Sequence, residues 1–167
     1  MCGICGVFNR EAQGGRTQER VIEAMLRAIR HRGPDGSGTL ILDQAALGFN
    51  RLSFIDLEGG MQPIQNEDQT ISMICNGEIY NYRSLREELS AKGHIFRTKT
   101  DVEVILHLYE ECGMDFPGRL NGQFAIALYD ERKRQLLLVR DQIGISPLFY
   151  TVVGDKVVFA SEIKAIL

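Results

Sequence analysis

Gln123-Phe124-Ala125-Ile126-Ala127-Leu128-Tyr129 is apolar at every position after the first. An extended strand turns successive side chains to opposite faces. A strand apolar on both faces is covered on both, so this one predicts a sheet packed front and back. The elements around it decide what does the covering. A charged turn over 130–134 leads to another strand over 136–139. Residues 148–153, a Gly154-Asp155 turn and residues 157–160 read as a hairpin. Upstream, the pattern predicts strands over 2–8, 39–43, 45–50, 52–56, 70–75 and 94–97. Thr17 offers an N-cap to a helix over 18–30, with Val21, Ile22, Met25, Leu26 and Ile29 at helical spacing. A second helix starts at Asn81 or Tyr82, carries Leu85 and Leu89, and stops at Gly93. Thr100-Asp101-Val102-Glu103 has capping-box spacing and opens a third helix, with Val102, Ile105, Leu106 and Tyr109 as its apolar face. Ser161 caps a final fragment. Strands arrive in antiparallel-style runs, not in strict alternation with helices. The expected fold is α+β, with sheet packed on sheet and helices outside.

The composition narrows the function classes. The 167 residues suit one domain, 1–167. Nineteen basic against 22 acidic residues leave −3, which offers no electrostatic footprint for nucleic acid or for an anionic membrane. Hydrophobic residues at 44% and charged residues at 25% exclude disorder, collagen and coiled coil. No apolar run reaches the roughly 18 residues that span a bilayer. Met-Cys-Gly-Ile-Cys-Gly is not a signal peptide, so the expected location is cytoplasmic. The four cysteines, Cys2, Cys5, Cys75 and Cys112, are then expected as reduced thiols. Cys2-x-x-Cys5 has the spacing of half a zinc site, but the chain offers no second close pair, and on a strand the two point to opposite faces. No residues are assigned to a metal.

Cys2 stands apart by position. With Met1 removed it becomes the first residue and carries a thiol and a free α-amine together. An α-amine titrates at about 7.7–8.0, so near neutrality part of it is a free base able to take the thiol proton. One residue then supplies nucleophile and general base.

Six segments stand in order along the chain. They are Met1-Cys2-Gly3-Ile4, His31-Arg32-Gly33-Pro34-Asp35-x-x-Gly38 and Leu47-Gly48-x-x-Arg51-Leu52-Ser53. Asn76-Gly77-Glu78-Ile79-Tyr80-Asn81, Thr100-Asp101-x-Glu103-Val104-Ile105 and Arg140-Asp141-x-x-Gly144-Ile145-x-Pro147-Leu148 complete the set. Together they resemble the class II glutamine amidotransferase domain of glutamine-dependent asparagine synthetases, over essentially the whole chain. The resemblance implies a four-layer αββα N-terminal-nucleophile hydrolase fold. It also implies hydrolysis of the L-glutamine side-chain amide to glutamate and ammonia through a Cys2 thioester. By the same resemblance Asn76 and Gly77 form the oxyanion hole and Arg51 takes the substrate carboxylate. Leu52, Ser53, Phe54 and Ile55 line the same segment, and Glu78 and Asp101 take the ammonium. The chemistry agrees, since an oxyanion needs aimed donors, a carboxylate suits a planar guanidinium and an ammonium suits acids. The Gly/Pro loop is expected to support the site, with His31 outside the proton transfer.

The resemblance has gaps. Phe49 stands where asparagine synthetases usually carry His, and Gln142, Ser146 and Phe149 replace Arg, Lys and Tyr of a later motif. A relative serving another amide-forming pathway is compatible with these changes. The glutaminase domains of glucosamine-6-phosphate synthase and phosphoribosylpyrophosphate amidotransferase fit less well, because their loops usually lack Pro-Asp after His-Arg-Gly. Rival readings are a non-catalytic regulatory or scaffolding domain, an N-terminal-nucleophile hydrolase of another amide, and a zinc domain on Cys2-x-x-Cys5. No phosphate-cradling Gly-rich loop and no S-G-G-x-D-S motif is present, so no cofactor is expected in this domain. ATP and Mg are expected only on a synthetase domain, covalently linked or separate. The uncapped apolar ending Ile163-Lys164-Ala165-Ile166-Leu167 reads as a cut ahead of such a domain, and a homodimer is compatible with the sequence.

Overall fold

The computed structural model describes residues 1–11, 16–53 and 60–167, with backbone only at 16 and 17. The doubly apolar stretch forms a strand over Gly122–Asp130, the sixth of nine among the described residues. The others are β1 (Gly3–Asn9), β2 (Gly36–Ile41), β3 (Ala45–Arg51), β4 (Ile64–Gln65) and β5 (Ile71–Ile79), then, after β6, β7 (Gln135–Arg140), β8 (Phe149–Val153) and β9 (Lys156–Ala160). Two sheets result, ordered β2-β3-β1-β9-β8 and β4-β5-β6-β7. Every neighbouring pair is antiparallel.

The two faces of β6 enter different layers. Phe124, Ile126 and Leu128 pack with Leu85 and Leu89 of α2 (Tyr82–Ala91) and with Val104, Ile105 and Leu108 of α3 (Val104–Cys112). Ala125 and Ala127 face the other way, against Ile4, Leu47, Phe49 and Phe159 of the first sheet. That sheet's outer face is covered by α1 (Arg16–Ala28), whose Ile22, Met25 and Leu26 meet Cys5, Val7 and Ala46. The order is helix, sheet, sheet, helices, the αββα arrangement expected from the sequence. Val21, expected on the buried face of α1, is exposed.

Several local expectations are corrected. Residues 94–97 form no strand. Their pattern is extended, but carboxylates take the N–H groups a sheet would have taken. Ile95 N donates to Glu67 Oε1 at 3.0 Å, and Arg97 N to Glu103 Oε1 at 2.7 Å. The same contacts undo the capping box. Glu103 turns to the preceding loop, also accepting from Thr98 N at 2.8 Å, and α3 starts only at Val104 without a side-chain cap. Ser161 Oγ accepts from Ile4 N at 3.0 Å rather than capping a helix, and the chain beyond it makes only a 3-10 turn, Ile163–Ala165. The strand expected to end at Cys75 continues through Asn76 and Gly77, and β5 ends at Ile79. Residues 52 and 53 lie outside any strand, and 54–56 of that expected strand lie outside the described residues.

The layering makes a two-sided prediction for β6. Ile126→Ala leaves a cavity on the helix side and is expected to cost about 2–5 kcal/mol. Ala127→Leu overfills the gap between the sheets and is expected to cost about 1–3 kcal/mol. Denaturant unfolding measures both. If either change stays within about 0.5 kcal/mol, as at a surface position, that face is not packed as described.

Candidate active site

Pairing of β1 with β3 sets Gly3 opposite Asn50, so the residue before β1 lies beside the end of β3. There Leu52 N donates to Cys2 Sγ at 3.3 Å, and the thiol reaches Leu52 O at 3.6 Å. The main chain is fixed too. Arg32 Nε donates to the Cys2 carbonyl at 3.0 Å, and Ser161 N donates to Ile4 O at 2.8 Å. Arg32 is braced in turn by Glu162, at 3.2 Å from Nη1. His31 Nε2 meets the same carboxylate at 2.8 Å and does not line the cleft. Gly33 shows why the loop needs glycine. An added Cβ would sit 2.4 Å from the Asn50 carbonyl and 2.6 Å from Arg51 N, both immovable backbone.

On the facing sheet, Asn76, Gly77 and Glu78 pair with Ala125, Phe124 and Gln123. Asn76 is buried, and its Nδ2 has no hydrogen-bond partner among the described residues. A buried amide donor left unpaired is costly, which marks it as a donor waiting for an acceptor. A Cβ at Gly77 would come within 2.2 Å of Gln123 O, so β6 lies too close for a side chain there. Gln62 clamps the residue before Asn76 on both sides. Its Oε1 accepts from Cys75 N at 2.6 Å, and its Nε2 donates to Cys75 O at 3.1 Å.

Asp101 accepts from Ile79 N at 2.6 Å. Burial, with the neighbouring Glu78 charge adding to it, pushes its carboxyl above the ordinary range despite that bond. A carboxylate in this state gains from an added cation. Burial also raises Asp141, but the N–H groups of Ser146, Ile145 and Phe124 outweigh it and hold the carboxyl low. Those bonds fold residues 141–146 so that Ser146 reaches the cleft wall.

These residues enclose a cleft of about 410 Å³. Of the residues singled out in the sequence, Cys2, Arg51, Leu52, Asn76, Gly77, Glu78 and Asp101 are brought together along its wall. Ser53 is not among its lining residues. Its N–H donates to Asp35 at 2.8 Å instead. Phe54 and Ile55 lie outside the described residues. Sequence reasoning did not anticipate Gln62, Thr100, Val102 or Gln123 in the lining, nor Ser146 or Phe49, which it noted only as departures. Only Thr100 and Val102 had a signal, as neighbours of Asp101. Cys2 packs toward the layer between the sheets and Cys5 toward α1, so they share no site. Burial pushes the Cys5 thiol up to about 12, which suits an inert core residue.

The glutamine amidotransferase domain profile matches residues 1–167. Asparagine synthetase [glutamine-hydrolyzing] 2 of Bacillus subtilis is 45% identical over 99% of this chain and 22% of its own length. Asparagine synthetase [glutamine-hydrolyzing] 3 of Arabidopsis thaliana is 46% identical over 99% of this chain and 28% of its own. Asparagine synthetase B of Escherichia coli is 43% identical over 100% of this chain and 30% of its own. The chain thus spans less than a third of the length of these curated relatives. Among solved structures, the glutamine phosphoribosylpyrophosphate amidotransferase of B. subtilis superposes with a TM-score of 0.79 at 22% identity, covering 99% of this chain and 43% of that one. That likeness concerns the fold alone. With a cleft built on Cys2 and a profile matched from end to end, the chain belongs to the glutamine amidotransferase domain family.

Proposed function

We propose that this domain hydrolyses the side-chain amide of L-glutamine and releases ammonia to an asparagine-synthetase-type site. The observation that carries the reading is the unpartnered, buried Asn76 Nδ2 in the same cleft as the anchored Cys2 thiol. Met1 lines that cleft as well, and its removal gives Cys2 the free α-amine. The amine takes the thiol proton as sulfur attacks the glutamine Cδ carbonyl. Charge then develops on the carbonyl oxygen, where Asn76 Nδ2 and the Gly77 backbone stabilise it. Collapse breaks the C–N bond, the α-ammonium returns its proton to the departing nitrogen, and ammonia leaves a γ-glutamyl thioester. Water, activated by the same amine, cleaves the thioester to glutamate and frees the thiol. Arg51 holds the substrate α-carboxylate, while Glu78 and Asp101 hold its ammonium. That cation relieves the pressure burial and Glu78 put on the Asp101 carboxylate. ATP, Mg and the ammonia acceptor belong to a synthetase domain, linked or separate, and the setting is cytoplasmic metabolism. Among the described residues no helix is long and apolar enough to cross a membrane.

The test is mass spectrometry of the Met-processed chain after reaction with a diazo-ketone glutamine analogue, alongside glutamate release. The adduct is expected on Cys2 and turnover is expected to vanish in Cys2→Ala. An adduct elsewhere, or glutaminase activity in that variant, overturns the mechanism. A properly folded wild type that releases no glutamate makes this a non-catalytic domain instead.

Asn76→Ala is expected to lower kcat about 10²–10³-fold with little change in KM. Asp101→Asn is expected to raise KM for glutamine but not for a side-chain amide lacking the α-ammonium. Equal effects on both substrates would remove Asp101 from ammonium binding.

Arg32 is a positioning residue, and its brace depends on pH. Burial raises the Glu162 carboxyl, but hydrogen bonds from Lys164, His31 and Arg32 outweigh this and hold it at about 2, against 4.5 ordinarily. A depressed carboxyl stabilises the fold fully above the unfolded value and loses that contribution as pH falls through the folded one. Thermal stability is therefore expected to fall more steeply between about pH 4.5 and 2 in the wild type than in Glu162→Gln. Parallel pH profiles would show that the brace carries no such charge.

A further inference from the structure

Four side chains meet on the helix side of the second sheet, and none of them lines the glutamine cleft. Glu67 lies in the turn between β4 and β5, His94 just beyond α2, and His107 and Glu110 on one face of α3. His107 is buried, while Glu67 and Glu110 keep contact with solvent. Both imidazoles present Nδ1 to the carboxylates. His107 Nδ1 lies 3.0 Å from Glu110 Oε2 and 3.8 Å from Glu67 Oε2. His94 Nδ1 lies 3.5 Å from Glu110 Oε2 and 3.9 Å from Glu67 Oε1. A tetrahedral ion with bonds of about 2.0–2.1 Å needs ligand atoms about 3.3–3.4 Å apart. The two separations to Glu110 Oε2 bracket that edge, the two to Glu67 run longer and reach different oxygens, and one ligand atom from each side chain falls within 4.8 Å of the others.

A second ring of contacts aims the first. His94 Nε2 meets Glu111 Oε1 at 3.2 Å, which places the ring proton on Nε2 and turns the Nδ1 lone pair inward. Lys92 holds Glu111 from outside at 2.6 Å. Asn66 Nδ2 donates to the rear oxygen of Glu110 at 2.8 Å, and Ile95 N donates to Glu67 Oε1 at 3.0 Å.

An alternative is a plain ion-pair cluster with both histidines protonated. It places two imidazolium rings with centroids 4.7 Å apart. One divalent ion removes both added protons, takes both lone pairs and neutralises the two carboxylates.

We propose that Glu67, His94, His107 and Glu110 form a closed, four-ligand structural site for a divalent transition ion of the zinc type. The donor set of two imidazoles and two carboxylates suits zinc, and full protein ligation leaves no open position for catalysis. The ion ties the β4–β5 turn and the segment after α2 to α3, the helix that comes after Asp101. The site is independent of the glutamine reading.

The experiment uses the whole chain, stripped with a chelator and titrated with Co²⁺ and then Zn²⁺. Expected are one Co²⁺ per chain with the intense visible bands of a tetrahedral ion, displacement by Zn²⁺, and a raised Tm with Zn²⁺. His94→Ala and Glu67→Gln, both at part-exposed positions, are expected to abolish stoichiometric binding while keeping the far-UV circular dichroism of the wild type. Glu111→Gln, which acts through His94, is expected to weaken Zn²⁺ affinity about 10–100-fold. Substoichiometric binding, sulfur-to-cobalt charge-transfer bands pointing to cysteine ligands, or unchanged Zn²⁺ affinity in His94→Ala would each overturn the proposal. Glutaminase activity is not the readout, so failure here leaves the Cys2 mechanism standing.

Discussion

The contact between the two sheets is the constraint on which the molecule depends. Ala125 and Ala127 are small, and they let the second sheet approach Ile4, Leu47, Phe49 and Phe159 of the first. Apolar burial at about 25 cal/mol per Å² supplies the attraction, and close packing sets its geometry. The same approach brings the start of β1 and the end of β3 to the edge of β5. A nucleophile from one sheet and a buried amide donor from the other thus share one cleft. Neither sheet alone contains the site.

Rigidity around that cleft is built from polar contacts as well as packing. Cys2 is held at its sulfur by Leu52 and at its carbonyl by Arg32. Gln62 locks the backbone one residue before Asn76. Such bonds fix the reacting groups before substrate arrives, so little reorganisation remains for the chemical step. Phe49 illustrates a different economy. It stands where asparagine synthetases usually carry His, and it is buried in the layer between the sheets. It also lines the cleft.

The sequence disclosed most where function and local pattern coincide. Cys2 stood out by its place at the start of the chain, and Arg51, Asn76, Glu78 and Asp101 were legible through the family resemblance that their motifs carry. The layers were legible from β6. What stayed hidden is long-range. Ser161 looked like a helix cap but accepts from Ile4, which lies 157 residues away in sequence. Glu103 looked like a capping-box acid but serves the loop before it. Residues 94–97 had a strand's pattern, yet the Ile95 and Arg97 N–H groups go to Glu67 and Glu103 rather than to a neighbouring strand. In each case a side chain was the right type for the local rule, and a tertiary partner claimed it first. Gln62 had no local signature, because its function is defined by the backbone it clamps.

The nine-residue pairing of β5 with β6 has a consequence for how activity scales with folding. Strand side chains alternate, so a slip of one residue would swing Asn76 out of the cleft and bring the side chain of a neighbour in. It would also set a residue with a Cβ against Gln123 O, where Gly77 alone fits. A misregistered molecule is therefore blank rather than sluggish. Loss of register removes the cleft's donor from a molecule outright rather than weakening it by degrees.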